Sequence, residues 1–351
     1  MTYAQYGLVQ ASDYNTLVGS SPSSTANTIN TTWSVGSGAR GYGQTALNQV
    51  SATSTVTATQ WSTLIGTVDS MLKHQAGGSG TSISLPTSGN TISYLGTLTG
   101  AVATAYSNAL NFNSNSAVVA GSGITAAWTA SISNAGSNPP VAQTSRTSLT
   151  RSFGLTATFG SPDKARYFFN AGGRLKYNIS GAQNASTTAR TNEIISLLGF
   201  LGGVQTFGAN TNGGRSGSGG TLGTNDTAKG YWVANPTWPT SNVTLVSVTS
   251  TVTNYTADTG YIQYKTNGYS GMFPSNPLNS PPATGQLDNG NVVTFWTTVT
   301  SNSGTDYNGN FGFDDSFGVT VTQSIDVSYP ETTNLANTWG AVVITAASDP
   351  W

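Results

Sequence analysis

The chain has 351 residues, about half of them Gly, Thr, Ser or Asn, with 7% charged residues, one His, no Cys and a formal net charge of −1. This excludes a disulfide framework, a thiol nucleophile and a thiolate metal site, and it lacks the basic footprint of a nucleic-acid binder. Disorder is excluded too, because 8 Trp, 15 Tyr and 12 Phe stand among abundant Thr and Val, side chains that fit a pleated, half-buried surface.

The opening residues, Met1 to Tyr6, have neither the basic segment nor the apolar run of a signal peptide. An internal repeat follows. Residues 9–20 align without gaps to residues 56–67, with five identities. Tyr14, Leu17 and Val18 fall on one helical face, as do Trp61, Leu64 and Ile65. Ser12 and Thr59 are the expected N-caps. The spacing predicts two short helices, the second ending near Gln75, that pack on each other or on a partner. Residues 1–76 are thus expected to be a docking or oligomerisation module carried by Tyr14, Leu17, Trp61 and Leu64. Between the copies, Gly36 to Gly41 fits G-x-G-x-x-G, but it has no βαβ context and no acid about 20 residues later, so it reads as a tight loop.

Residues 77–150 read as a connector with one helix near Thr99 to Leu110. From 151 onward the period switches to two. Phe153, Leu155, Ala157 and Phe159 alternate with small or polar residues, as do Leu175, Tyr177 and Ile179. In the longest run, Phe317 to Val327, Gln323 interrupts the apolar face. Such alternation marks antiparallel strands buried on one side. The expected fold is mainly β: an antiparallel sandwich-like domain over 151–351 behind a small helical module. A short helix is expected over Glu193 to Leu201, and a long loop over Ala209 to Asp226. The most apolar stretch, Ile194 to Val204, is about half a membrane span, so no membrane insertion is expected.

The charges are sorted by sign. Arg146 to Arg190 carries a net +6, including Arg166, Arg174 and Lys176, and Asp258 to Asp349 carries a net −7. Either the strips fold against each other within one domain, or they meet across a subunit boundary and fix its register.

The chemistry motifs are weak. His74, at a predicted helix end, reads as a capping or surface His rather than a catalytic base. Asp306 to Asn310 begins like a calcium loop, but Phe311 holds the glycine position and Phe317 the terminal acid, so a polar turn is expected. Paired carboxylates for a depolymerase would come from Asp306, Asp314 and Asp315, or from Asp326 and Glu331. Trp232 and Trp238, with Tyr264 and Tyr269, either stack sugar rings or fill the core. No cofactor, metal or catalytic group is expected.

Lys164 to Leu175 (KARYFFNAGGRL) reads as a strand edge, a Gly-Gly turn and the strand to Ile179. It resembles the ARYFFNAGG segment of virion structural proteins of tailed bacteriophages, notably those of marine bacteria and cyanobacteria. The likeness extends to ASDYNTLV (11–18), GSGARGYGQ (36–44), VTATQW…HQ (56–75), residues 255–265, GNVVTFWTTVT (290–300) and DDSFGVTVTQS (314–324), about two thirds of the chain. The Pro-rich residues 273–284 depart from that pattern. The resemblance implies a non-enzymatic neck, tail or fibre protein. It would be located in the virion, with copies of itself and other virion proteins as partners. A host-glycan adhesin is the alternative, and a capsid decoration protein or a depolymerase lies further off.

Overall fold

The computed structural model describes residues 10–21, 27–34, 41–76, 80–87, 95–109, 126–134, 148–184, 189–202, 205–208, 219–221, 226–228, 230–233, 242–251, 255–267, 290–302 and 317–347. Four helices come first: α1 (Ala11–Val18), α2 (Ile29–Trp33), α3 (Ala58–Ala76) and α4 (Leu95–Ser107). Then follow β1 (Ala126–Asn134), β2 (Ser148–Phe159), α5 (Pro162–Asn170), β3 (Arg174–Gln183) and α6 (Ala189–Leu201). The remainder is β4 (Gln205–Gly208), β5 (Gly219–Thr221), β6 (Asp226–Ala228), β7 (Gly230–Val233), β8 (Val243–Thr249), β9 (Thr259–Thr266), β10 (Val292–Asn302), β11 (Phe317–Ser328) and β12 (Val342–Ala346).

The two repeat helices form as the periodicity predicts, but both start upstream of the expected caps. Gln10 is the N-cap of α1, and its N–H donates to the Asp13 carboxylate at 3.1 Å. At α3 the Thr57 hydroxyl accepts from the Gln60 N–H at 3.2 Å, while the Gln60 side chain accepts from the Thr57 N–H at 2.8 Å. Gln10 and Thr57 are equivalent in the repeat, as are Asp13 and Gln60. An acceptor three residues into each helix reaches back and draws the start forward, and this displaces Ser12 and Thr59 from the caps. The equivalent aromatics Tyr14 and Trp61 meet edge to face, 5.7 Å between centroids.

The β domain is built from two five-stranded sheets, ordered β1-β11-β3-β4-β7 and β12-β2-β10-β9-β8, with a small β5-β6 pair. All pairings are antiparallel except β4 with β7, which is parallel. Tyr177 of β3 joins the sheets: its ring stacks on Phe295 of β10, 5.3 Å between centroids, and its hydroxyl bonds Thr297 at 2.8 Å. The same hydroxyl donates to the Gln323 side chain, so the residue that interrupts the apolar face is a buried partner for a buried phenol. Helix α6 begins four residues earlier than expected and buries Ile194, Leu197, Leu198 and Leu201.

Three expectations are corrected. Lys164 to Asn170 is helical, not a strand edge. Ser161 accepts from the Lys164 N–H at 3.1 Å, and Pro162 occupies the first turn. That Ser-Pro-Asp start overrides the β preference of Tyr167, Phe168 and Phe169. The Gly-Gly turn is present, with Gly172 at φ +89°. Second, the β domain begins before 151, because β1 pairs along β11 and lies inside the expected connector. Third, Gly219–Thr221 is a strand within the expected loop. Residues 209–218, 222–225 and the Pro-rich 273–284 lie outside the described residues.

Candidate functional site

The helical module and the β domain meet along residues 41–50, which form neither helix nor strand. Two asparagines hold this segment as a neighbouring strand would. Asn15 donates to the Val50 carbonyl and accepts from its N–H, both at 2.8 Å. Asn30 does the same to Leu47 at 2.9 Å and also donates to the Gly19 carbonyl. Side-chain amides carry a donor and an acceptor, so one Asn can satisfy both backbone polar groups of one residue.

Upstream, residues 41–44 contact α5, α3, Ala109 and the segment 336–338. The Gly41 carbonyl accepts from Asn170, the last residue of α5, at 2.9 Å. The Tyr42 hydroxyl donates to Ala109 and accepts from Gln75, both at 2.9 Å. Gly43 has φ +72°, and a Cβ there would lie 2.4 Å from the Tyr167 ring. Gln44 makes a two-bond clamp on Ala336, 2.9 Å each way, and the Thr338 hydroxyl donates to the Tyr42 carbonyl at 2.8 Å. The chain therefore returns after β11 to close the joint.

His74, on the last turn of α3, completes the joint. It is buried, its ring meets Tyr42 edge-on, and its Nδ1 lies 2.9 Å from Glu331 Oε1. Burial pushes the Glu331 carboxyl up. The bond to His74, the Asn334 backbone and side-chain amides, and the His74 charge more than offset this and hold it at about 2. His74 is thus neither a helix cap nor a surface residue.

The remaining expected site residues are dispersed. Tyr14, Leu17, Trp61 and Leu64 are buried in the core. They pack within the module's own core, and Tyr14 also lines the groove described below. Arg166 is buried, bonded to Asp163 at 3.0 Å and stacked over Tyr167. Arg174 and Lys176 lie on β3, paired in register with Ser328 and Asp326 of β11. Arg190 lies 4.0 Å from the buried Asp258, with Ser301 bonded to both. Two basic positions therefore meet acidic ones inside the domain, as the within-domain reading expects. Trp232 sits in β7 opposite Phe207. Trp238, Tyr269, Asp306, Asp314 and Asp315 lie outside the described residues.

Near Asp258, burial pushes the Glu193 carboxyl up, a bond from Ser250 opposes this, and the Asp258 charge adds to it. No group of three or more potential metal-ligating side chains occurs among the described residues, and none of their helices is long and apolar enough to cross a membrane. Beside the joint, α1, α3 and residues 44–48 border an open groove of about 580 Å³, to which Trp33 contributes. No sequence pattern marks the groove, because its walls come from five separate stretches. Comparison with protein families, with curated proteins and with solved structures gives no match.

Proposed function

We propose that this chain is a non-enzymatic structural component of a tailed-bacteriophage virion, of neck, tail or fibre type, assembled as a homo-oligomer. One observation carries the reading. The four segments that bear the resemblance in the first half of the chain converge on a single joint. ASDYNTLV and VTATQW…HQ supply the Tyr14–Trp61 contact. GYGQ supplies the start of the 41–50 segment, HQ its polar partners Gln75 and His74, and the ARYFFNAGG helix closes over it through Tyr167 and Asn170. These residues fix the angle between two modules, which suits a part that transmits position and load within a shell. Symmetric placement on a particle favours closed homo-oligomers. The helical module would face the particle, and the β domain its neighbouring proteins.

The test is mass spectrometry and immunogold labelling of gradient-purified virions, with light scattering on the isolated protein. The proposal expects this chain in stoichiometric amounts in washed particles and a discrete oligomer in solution. A chain absent from washed virions and monomeric at high concentration would overturn it.

A further inference from the structure

The groove beside the joint has the volume of a small-molecule site, for which about 300–1,000 Å³ is usual. Among the described residues, its walls carry no Asp, Glu, Lys, Arg or His. An ionic ligand would find no counter-charge there.

One wall is the Trp33 indole. Its Nε1–H donates to the Thr45 carbonyl at 2.9 Å, which fixes the ring and uses its polar edge within the chain. The ring is only partly buried. Also in its lining is a row of hydroxyls on α3: Thr59, Thr63 and the buried Thr67 stand four residues apart, about 6 Å per step along one helical face. The Thr63 hydroxyl donates to the Thr59 carbonyl at 2.9 Å, so its lone pairs remain to accept. The exposed Asn48 adds an amide to the rim. An apolar peptide seated here would leave these polar groups desolvated without partners, a loss of about 1–3 kcal/mol for each.

We propose that this groove binds a short, uncharged oligosaccharide, with the apolar face of a sugar ring on Trp33 and its hydroxyls along the Thr59–Thr63–Thr67 row. A fixed aromatic ring beside a few placed hydroxyl and amide groups, without charge, matches a ligand that is apolar on its ring face and polyhydroxylated at its rim. The inference does not rest on the virion reading. It is measured on purified protein, so either can fail without the other.

The experiment is a glycan array of neutral and anionic oligosaccharides, followed by calorimetric titration with the neutral hits and with maltohexaose and cellohexaose. At least one neutral oligosaccharide is expected to bind, with an affinity unchanged by salt. Trp33→Ala should weaken it at least tenfold. Thr63→Arg should abolish it, and because Thr63 is exposed that variant keeps its fold, checked by an unchanged melting curve. Failure of every neutral oligosaccharide to bind would overturn the inference. So would binding indifferent to Thr63→Arg, preference for anionic sugars lost in salt, or a dimer that Thr63→Arg dissociates, which would assign the groove to a second copy.

Discussion

Replacing Glu331 by Gln removes a carboxylate that bridges the helical module and the returning C-terminal segment. In the folded protein this carboxyl is held at about 2, against an ordinary value of 4.5. By linkage that difference is worth up to about 3 kcal/mol. With the side chain 14% exposed, solvent screening brings the figure to about 1–2 kcal/mol. The sign follows from proton uptake. The unfolded chain takes up the proton near pH 4.5 and the folded chain only near pH 2, so the contribution is complete above 4.5 and is lost as pH falls from 4.5 towards 2. Other carboxylates titrate in the same window, so the informative quantity is the difference between wild type and Glu331→Gln. Urea denaturation followed by Trp fluorescence, at steps from pH 7 to pH 2.5, should show the variant less stable by about 1–2 kcal/mol at neutral pH, with the gap closing on acidification. A gap that stays constant down to pH 2.5, or none at pH 7, would refute the bridging role.

Further outcomes follow from the same joint and core. Gly43→Ala places a Cβ against the Tyr167 ring at a positive φ and should cost about 2–3 kcal/mol in denaturant melts. Asn30→Ala leaves the Leu47 N–H and carbonyl and the Gly19 carbonyl without their side-chain partner, and should cost about 2–3 kcal/mol. Trp61→Ala opens a core cavity and should cost about 3–5 kcal/mol, visible as a lower melting temperature. Glu193→Gln should stabilise at neutral pH and above. A carboxyl pushed up by burial loses folded-state stability as pH rises past its unfolded value, and the amide is free of that loss. Thermal melts of the two proteins across pH 5 to 9 check this.

What was legible in the sequence was local. Period-two alternation located β2, β3 and β11 because one face of each is buried, and the 3.6 period located α1 and α3 for the same reason. The ARYFFN segment misled because Tyr and Phe favour strands, whereas the decisive signal, Ser161-Pro162-Asp163, lies outside the motif and acts through the backbone. Strand β1 was missed because its partner, β11, lies nearly two hundred residues away, and short-range pattern carries no record of such pairing. Asparagine commonly forms turns. At Asn15, Asn30 and Asn170 it instead satisfies backbone groups of distant segments, a use that composition cannot distinguish from a turn. The sorting of charge was visible, but its resolution into pairs such as Arg190–Asp258 depends on contacts between elements.

The scarcity of charge also has a consequence for how the joint responds to salt. Lys73–Asp69 and Arg166–Asp163 each lie within a single helix and contribute little to the relation between modules. His74–Glu331 and Arg190–Asp258 join separate elements, but both pairs are largely buried, where mobile ions screen weakly. The remaining ties at the joint are neutral: Gln44 to Ala336, Thr338 to Tyr42, Asn170 to Gly41 and Gln75 to Tyr42. Raising sodium chloride from ~0.1 M to ~1 M shortens the screening length from ~10 Å to ~3 Å. The melting temperature should nonetheless move by less than about 3 °C, which is about 1 kcal/mol for a chain of this size. In Gln44→Glu the two-bond clamp on Ala336 loses its donor and gains a charge, and that variant should melt lower at both salt concentrations. A wild-type melting temperature that falls steeply with salt would show that ion pairs between elements, rather than amide and hydroxyl clamps, hold the two modules in place.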